Sequence, residues 1–531
     1  PTLDWIGKDK VINHHKDVPY KVLERKYSFD EGGMHKEDIH SNNMIIHGDN
    51  LEALKSFLPQ YEGKIKCIYI DPPYNTGNEG WIYNDNVNDP KIKKWLGEVV
   101  GKEGEDLSRH DKWLCMMYPR LVLLQKLLAE DGAIFISIDD NEHANLLLVC
   151  NEIFGSNNFI QDIIWNKRVS PARDAKFFST DHEYILVYSK NKESLTTHFL
   201  PRTEKNNSYY KNPDNDPRGP WNSAAYTCNK SRDERPNLYY PITNPYTGEK
   251  IFPKESAVWA YSEETYQQHV RDNLLYWGVN GEAKQPRKKA FLSEVGDVVP
   301  RSVWSHSDVG STQKATMENN TIFNMRAFSY PKVSTLVERI IQIASDKDSI
   351  VLDSFAGSGT TAHAVLNMNK SDGGNRKFIL VEMGDYADTI TAERVKRVIN
   401  GYGEGKNAVE GTGGNFSYYE LGNPLFMQDG TINDEVDITE VRKYVWYTET
   451  NGIEYKEDIQ EKYFLGSYND TAYYFYYEKD RVTILDYEFL TSVHKKEQTY
   501  VMYADSCALS DSDLQKWNIT FKKIPRDIEH I

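Results

Sequence analysis

The apolar run Ile65-Lys66-Cys67-Ile68-Tyr69-Ile70 stops at Asp71-Pro72-Pro73-Tyr74, and this junction limits the possible folds more than any other stretch of the chain. An extended run that ends at an acid, two prolines and an aromatic reads as a buried strand feeding a rigid loop. Proline fixes φ and removes a backbone donor, so two in succession leave a stiff loop that presents carbonyls. The Asp71 side chain adds an acceptor, and Tyr74 supplies a flat face and a hydroxyl. Such a loop suits a planar, amino-bearing guest such as a nucleobase. An ordinary strand-to-loop turn is the plain alternative, since Asp and Pro are common turn residues.

A second junction lies far downstream. Ser349-Ile350-Val351-Leu352-Asp353 reads as another short buried strand, followed by Ser354-Phe355-Ala356-Gly357-Ser358-Gly359-Thr360-Thr361 and a helix start at Ala362. Strand, glycine-rich turn and helix form the layout of a nucleotide-type cofactor site. The glycines permit close backbone approach, and a helix N-terminus favours a carboxylate or phosphate. A P-loop needs Gly-Lys-Ser/Thr at this point, whereas Thr360 follows Gly359, so ATP is a poor fit. The strand Lys377–Glu382 ends in an acid about 20–30 residues after the glycines, the usual place for a carboxylate that accepts from ribose hydroxyls. An adenosine-containing cofactor without a phosphate chain fits, and S-adenosylmethionine is the obvious candidate.

Asp-Pro-Pro-Tyr together with Phe-Ala-Gly-Ser-Gly resembles the amino-methyltransferases of DNA, which use S-adenosylmethionine to methylate an exocyclic amine. The catalytic motif comes first, the order of the circularly permuted β-class, where a target-recognition region separates the two motifs. Ile46-His47-Gly48-Asp49-Asn50-Leu51 and Tyr74-Asn75-Thr76-Gly77 look like the modification (Mod) subunit of Type III restriction–modification systems. So do Lys112-Trp113-Leu114, Ile136-Ser137-Ile138-Asp139-Asp140 and Phe328-Ser329-Tyr330-Pro331-Lys332. The resemblance spans about residues 45–415 and implies a Rossmann-like, seven-stranded S-adenosylmethionine-dependent α/β domain. It further implies an inserted target-recognition domain and a C-terminal α+β domain. The expected division is 1–194 and 306–415 for the methyltransferase domain, 195–305 for target recognition, and 416–531 for dimerisation or partner contact.

The resemblance also assigns roles. Tyr74 stacks on a flipped base, Asp71 and the Pro72 carbonyl accept from its amine, and Pro73 keeps the loop rigid. Asp49, Asp353, Phe355, Ala356, Gly357, Ser358, Gly359, Thr360, Thr361, Glu382 and Lys332 are expected at the cofactor, with Glu382 on the ribose and Lys332 near the methionine end. No covalent nucleophile or metal is required. Adenine N6 is the expected target, because the family tends to place Ser where this chain has Asp71 when cytosine N4 is methylated. Cytosine N4 is the nearest alternative. From another class, the chain is mainly a recognition subunit for a separate ATP-dependent restriction (Res) subunit. Expected partners are double-stranded DNA, a second copy of the chain and, in a restriction system, that Res subunit.

Composition agrees, with one complication. A chain of 531 residues accommodates two to four domains with substantial cores. Five scattered cysteines with no Cys-x-x-Cys pair argue against zinc and disulfides and fit a reducing bacterial cytoplasm. No signal peptide is read, and no apolar run approaches the ~18 residues of a membrane span. The complication is a formal charge of -16, awkward for a DNA-binding protein. Its distribution matters more than its sum. Residues 195–301 carry 15 Lys and Arg against 13 Asp and Glu, whereas residues 416–531 carry 12 against 22. The acid is concentrated in the tail.

Apolar runs at 44–47, 67–70, 133–138, 160–165, 183–188, 350–352 and 378–381 make seven strands. Trp113, Met117, Leu121, Leu124 and Leu128 recur at helical spacing, with Asp131-Gly132 as the helix stop. The two motif strands should be neighbours, so both motifs meet at one sheet edge. Asn84–Asp111 reads as a long polar loop, either a flap near the catalytic motif or a disordered excursion. In the insert, Lys284, Arg287, Lys288 and Lys289 form the densest basic run, to be read as phosphate or base contact or as a solvated turn. Asn75 and Thr76 are the other candidate DNA contacts. Gly401–Gly414 reads as a linker or loop. The aromatic run Tyr473–Tyr477 reads as buried strand packing more readily than as a base-stacking surface.

Overall fold

The computed structural model describes residues 2–76, 109–173, 175–450, 453, 455–456 and 461–529. They fall into two compact units, one comprising Pro1–His198 with Arg301–Ile531 and the other Phe199–Pro300.

The larger unit is built on a mixed sheet of eleven strands among the described residues. In chain order these are β1 (Lys21–Asp30), β2 (Gly33–His35), β3 (Met44–His47), β4 (Ile65–Ile70), β5 (Leu128–Ile138) and β6 (Phe159–Asn166). There follow β7 (His182–Ser189), β8 (Val303–Trp304), β9 (Ile350–Asp353), β10 (Lys377–Glu382) and β11 (Asn415–Pro424). Across the sheet they run β8-β6-β7-β5-β4-β9-β10-β3-β11-β1-β2. The seven strands read from sequence form the contiguous block β6 to β3, in which β7 alone opposes its neighbours. Parallel strands joined through helices bury both faces, which is why β3, β4, β9 and β10 read as near-continuous apolar runs, whereas β6 carries Gln161 and Asp162.

The other four strands escape an apolar-run reading because they are short or polar. β1 alternates Lys, Glu and Arg and buries only Tyr27, Ser28 and Phe29. β11 crosses the expected boundary at residue 415, because Phe416, Ser417 and Tyr418 bury between β3 and β1. The preceding stretch, expected as a linker, holds a small hairpin of Gly401–Tyr402 against Val409–Glu410.

Helices cover the sheet. They include α1 (Asn50–Tyr61), α2 (Arg109–Leu127), α3 (Thr312–Phe323), α4 (Ser334–Ala344), α5 (Thr360–Asp372) and α6 (Glu393–Asn400). Leu54 and Leu58 of α1 and Leu121 and Leu124 of α2 share one core with Ile68, Ile70 and Leu352. Asp131-Gly132 does not end α2, as the sequence implied; the helix stops at Leu127 and β5 runs through both residues. Gly132 is needed for that: a Cβ there would lie 2.8 Å from the Ile65 carbonyl oxygen of β4. Of the expected loop Asn84–Asp111, residues 84–108 lie outside the described residues, and Arg109–Asp111 open α2.

After β11, α7 (Ile438–Thr450) packs with a four-stranded sheet of Phe464–Tyr468, Thr471–Phe475, Thr499–Ala504 and Ile519–Lys523. Only its first pair is antiparallel. Tyr474 and Phe475 are each 1% exposed, so the centre of the aromatic run packs inward, while Tyr476 and Tyr477 are half-buried. Among the described residues no helix is long and apolar enough to cross a membrane.

The smaller unit carries a three-stranded antiparallel sheet of Leu275–Tyr276, Arg287–Phe291 and Trp221–Ala225. Its core gathers Tyr226, Tyr240, Ile242, Trp259, Tyr266 and Trp277. The region expected at 195–305 thus gives up its ends, since Val303–Trp304 pairs with β6 as β8.

All six residues of β4 are buried. Ile68→Ala should therefore cost about 2–5 kcal/mol, the range for emptying a packed core site. A urea melt followed by circular dichroism would show the lowered midpoint.

Candidate active site

β4 and β9 are parallel neighbours, with Val351 opposite Cys67 and Leu352 opposite Ile68. Their loops therefore leave the same carboxyl edge, where open α/β sheets bind their ligands. A cavity of about 300 Å³ opens between them. Tyr69, Asp71, Pro72, Tyr74 and Thr76 form one side, and Asp353, Phe355 to Ser358, Thr360 and Thr361 the other. Phe328, Tyr330, Pro331 and Lys332 line it from the segment before α4.

The Asp71–Tyr74 loop is fixed from behind. The Trp113 indole N–H of α2 donates to the Pro73 carbonyl at 2.6 Å, while Pro72 lines the cavity. Asn75 turns the chain at φ 56° and is 4% exposed. Its amide donates to the Arg109 carbonyl at 3.1 Å and to the buried Glu142 carboxylate. Asn75, expected at DNA, is therefore a loop anchor, and Thr76 alone of that pair lines the cavity.

One ammonium organises the acceptors. Lys332 Nζ lies 3.0 Å from Asp71 Oδ1, 3.2 Å from Glu183 Oε2 and 2.8 Å from the Tyr74 hydroxyl. Expected near the methionine end of a cofactor, this side chain instead sits at the Asp71–Tyr74 loop. Its backbone carbonyl is what meets the glycine loop, accepting from the Thr360 hydroxyl at 3.2 Å. Burial alone would lower the ammonium, but the Asp71 and Glu183 carboxylates outweigh it and hold it above its ordinary value. Burial lifts the Asp71 carboxyl above its usual range; Lys332 opposes that lift and Glu183 adds to it. Glu183 is drawn down to about 2 despite its burial, because Lys332 and Lys167 both face it. Lys167 Nζ holds its other oxygen at 2.8 Å.

Glu183 and Lys167 were not singled out from the sequence. Both come from the loop end of the β6–β7 hairpin.

The glycine loop rests on buried carboxylates. Asp353 accepts from the Phe355 N–H at 3.0 Å and from the Thr361 hydroxyl at 2.5 Å. Gly357 and Gly359 have φ of 53° and 83°, and a Cβ on Gly359 would lie 2.9 Å from the Thr391 carbonyl oxygen. Glu382, expected on a ribose, spends its oxygens on the Gly357 N–H at 2.7 Å and the Gly384 N–H at 2.8 Å. Asp49, expected at the cofactor, caps α1 by accepting from the Leu51 N–H at 2.8 Å and pairs with Arg120 at 3.1 Å. Neither carboxylate lines the cavity. Beneath the loop, Arg394 Nη1 donates to Ser358 Oγ at 2.8 Å and Thr360 Oγ1 at 2.9 Å, and its Nη2 pairs with Glu318 of α3 at 3.2 Å.

Residues 65–393, which hold both loops, match the family model described as DNA methylase. The chain belongs to the DNA methylase family. It is similar to the Mod subunit of the Type III restriction–modification enzyme StyLTI of Salmonella typhimurium, 34% identical over 75% of this chain and 62% of that one. The EcoPI Mod subunit of Escherichia phage P1 is 32% identical over 72% of this chain and 63% of its own. The Type II methyltransferase M.KpnI of Klebsiella pneumoniae is 33% identical over 64% of this chain and 81% of its own. The chain thus spans under two thirds of the length of those Mod subunits.

The basic run of the smaller unit is only partly free. Lys289 is 2% exposed, its ammonium held by Asp214 at 2.5 Å and Asp216 at 2.8 Å, so it is a structural cation and not a DNA contact. Arg287 is exposed but donates to Ser223 Oγ and the Ser223 carbonyl, each at 2.8 Å. Lys288 lies 5.1 Å from the Tyr261 ring centroid. Lys284 is exposed.

Burial pushes the Asp353 carboxyl up to about 7, from 3.8. Its folded value lies above its unfolded one, so its contribution to stability is complete below pH 3.8 and lost as the pH rises through about 7. Asp353→Asn keeps an acceptor for the Phe355 N–H and carries no charge. Its thermal midpoint should exceed the wild type's at pH 8.5, by an amount equivalent to roughly 1–3 kcal/mol, and the gap should narrow as the pH falls below about 7 and close below pH 3.8.

Proposed function

We propose that this chain transfers the methyl group of S-adenosylmethionine to N6 of an adenine flipped out of duplex DNA, as the modification subunit of a Type III restriction–modification system. The carrying observation is the strand pair β4–β9, which opens the Asp71 loop and the glycine loop onto one cavity. Membership of the DNA methylase family and similarity to Mod subunits support the reading.

The lining fits an adenosyl donor. The glycine cradle leaves no room for a side chain at Gly359, and Phe328 and Phe355 supply apolar walls. When bound, S-adenosylmethionine supplies an electrophilic methyl group. Asp71 and the Pro72 carbonyl accept from the exocyclic amine and draw its lone pair out of conjugation with the ring. Tyr74 offers its ring face to the base. Trp113 and Asn75 keep this loop from moving, so the contribution is positioning and electrostatic stabilisation. A base inside a duplex cannot reach Asp71, which requires base flipping.

Lys332 keeps Asp71 in its accepting, ionised form and yields its place among the acceptors to the incoming amine. The test of the whole reading is the methylome of a host expressing the chain, with the modified base identified by mass spectrometry. N6-methyladenine at a defined motif is expected. 4-Methylcytosine or no modification would overturn it, and co-purification with a large ATPase tests the Type III assignment.

Asp71→Ala should lose methyl transfer by about 100-fold or more while binding S-adenosylmethionine as the wild type does, measured by tritium transfer and calorimetry. Lys332→Met should leave burial and Glu183 to raise the Asp71 carboxyl further. The acid limb of kcat against pH should then move to higher pH. A raised KM for S-adenosylmethionine with an unmoved profile would instead put Lys332 at the cofactor.

A further inference from the structure

The loop joining β6 to β7, residues 167–181, leaves the carboxyl edge of the sheet beside the cavity. Lys167 at its start and Glu183 just past its end both line that cavity. Near its tip Phe177 and Phe178 are 81% and 92% exposed, the most exposed aromatic side chains among the described residues. The loop has its own internal order. Lys167 N–H donates to the Asp181 carbonyl at 2.8 Å, Ala172 N–H to Ser179 Oγ at 2.7 Å, and Ser179 Oγ to the Asp181 carboxylate.

Two adjacent rings held in water carry a standing cost, and the chemistry around them narrows what covers them. Residues 167–181 contain Lys167, Arg168, Arg173 and Lys176 against Asp174 and Asp181, in a chain whose net charge is -16. Local positive charge on an acidic protein fits a polyanion. Extruding a base leaves a gap in the stack, and proteins that distort DNA insert apolar side chains between base steps. A basic loop beside a cavity of about 300 Å³, with two exposed phenyl rings and the Lys176 ammonium 5.2 Å from the Phe177 ring centroid, has the parts for that.

We propose that Phe177 and Phe178 form a wedge that enters the stack of duplex DNA and fills the gap left by the base held at Asp71, with Arg168, Arg173 and Lys176 on the flanking phosphates. The inference rests on the methyltransferase reading and adds the device that opens the duplex. The wedge lies in the larger unit, outside the recognition insert, so it acts on any site that the insert selects.

The test compares the full-length wild type with Phe177→Ala/Phe178→Ala on two duplexes bearing the methylome motif. One is fully paired; the other has an abasic position opposite the target adenine, so less unpairing is needed. Both side chains are exposed, so thermal midpoint and S-adenosylmethionine affinity should stay unchanged. The double variant should methylate the paired duplex about tenfold or more slowly, yet stay within about threefold of the wild type on the abasic duplex. A wild-type rate on both would overturn the wedge and leave the rings as a protein-docking tip. Equal slowing on both would also overturn it, marking a general binding contact. A wild-type chain that methylates neither duplex would overturn the methyltransferase reading and the wedge with it.

Discussion

The parallel pairing of β4 with β9 is the constraint on which the rest of the site depends. The two strands are separated by about 280 residues of chain, yet Val351 opposite Cys67 and Leu352 opposite Ile68 put their carboxyl ends side by side. Side-chain period in a strand is 2, so a slip of one residue would turn Asp353 and the buried faces of both strands away from their partners. Register is held by burial on both faces, since β4 is buried throughout and Val351 and Leu352 are fully covered. The Asp71–Tyr74 and glycine loops need no contact of their own to meet.

Burying that junction creates an electrostatic problem, because Asp71, Asp353, Glu183 and Glu382 crowd one sheet edge. Desolvation raises each carboxyl, and the structure answers each case differently. Glu183 is charge-paired by two lysines and falls to about 2. Asp353 receives only neutral donors and rises to about 7. Glu382 takes two backbone N–H groups and remains above its ordinary value. Asp71 lies between these cases: one shared ammonium opposes its burial without cancelling it. On the proposed reaction, in which Asp71 accepts from a neutral amine, it gains from a cationic partner that can be displaced. Lys332, already tied to Glu183, is such a partner.

The sequence revealed the strands and loops far better than the side-chain partners. β3, β4, β9 and β10 were legible because strands covered on both faces must be apolar. β1 and β11 were not, since half of each faces water. The same contrast runs through the site. Asp71, Pro72 and Tyr74 form one short motif and Phe355 to Ser358 another, and within each the residues that line the cavity stand side by side in the sequence. Lys332 comes from the segment before α4 and Glu183 and Lys167 from the β6–β7 hairpin, and nothing local tells that their charges converge. Lys289 shows the reverse failure. A run of four basic residues around a turn reads as a phosphate patch, but strand geometry turns one of them inward onto Asp214 and Asp216.

Why the β6–β7 hairpin supplies both an acid for the site and a protruding loop follows from strand direction. Every other strand of the central seven ends at the carboxyl edge, and all of these except β6 lead from there toward a covering helix. β7 runs the opposite way, and its first residues, His182 and Glu183, arrive at that edge. A β6–β7 connection must therefore turn back on itself at the mouth of the cavity instead of crossing to a helix. A hairpin there cannot fold away under the sheet. Its tip projects from the carboxyl edge, beside the cavity that Lys167 and Glu183 line. The two phenylalanines and their basic neighbours stand at that position because the one antiparallel strand of the central sheet puts them there.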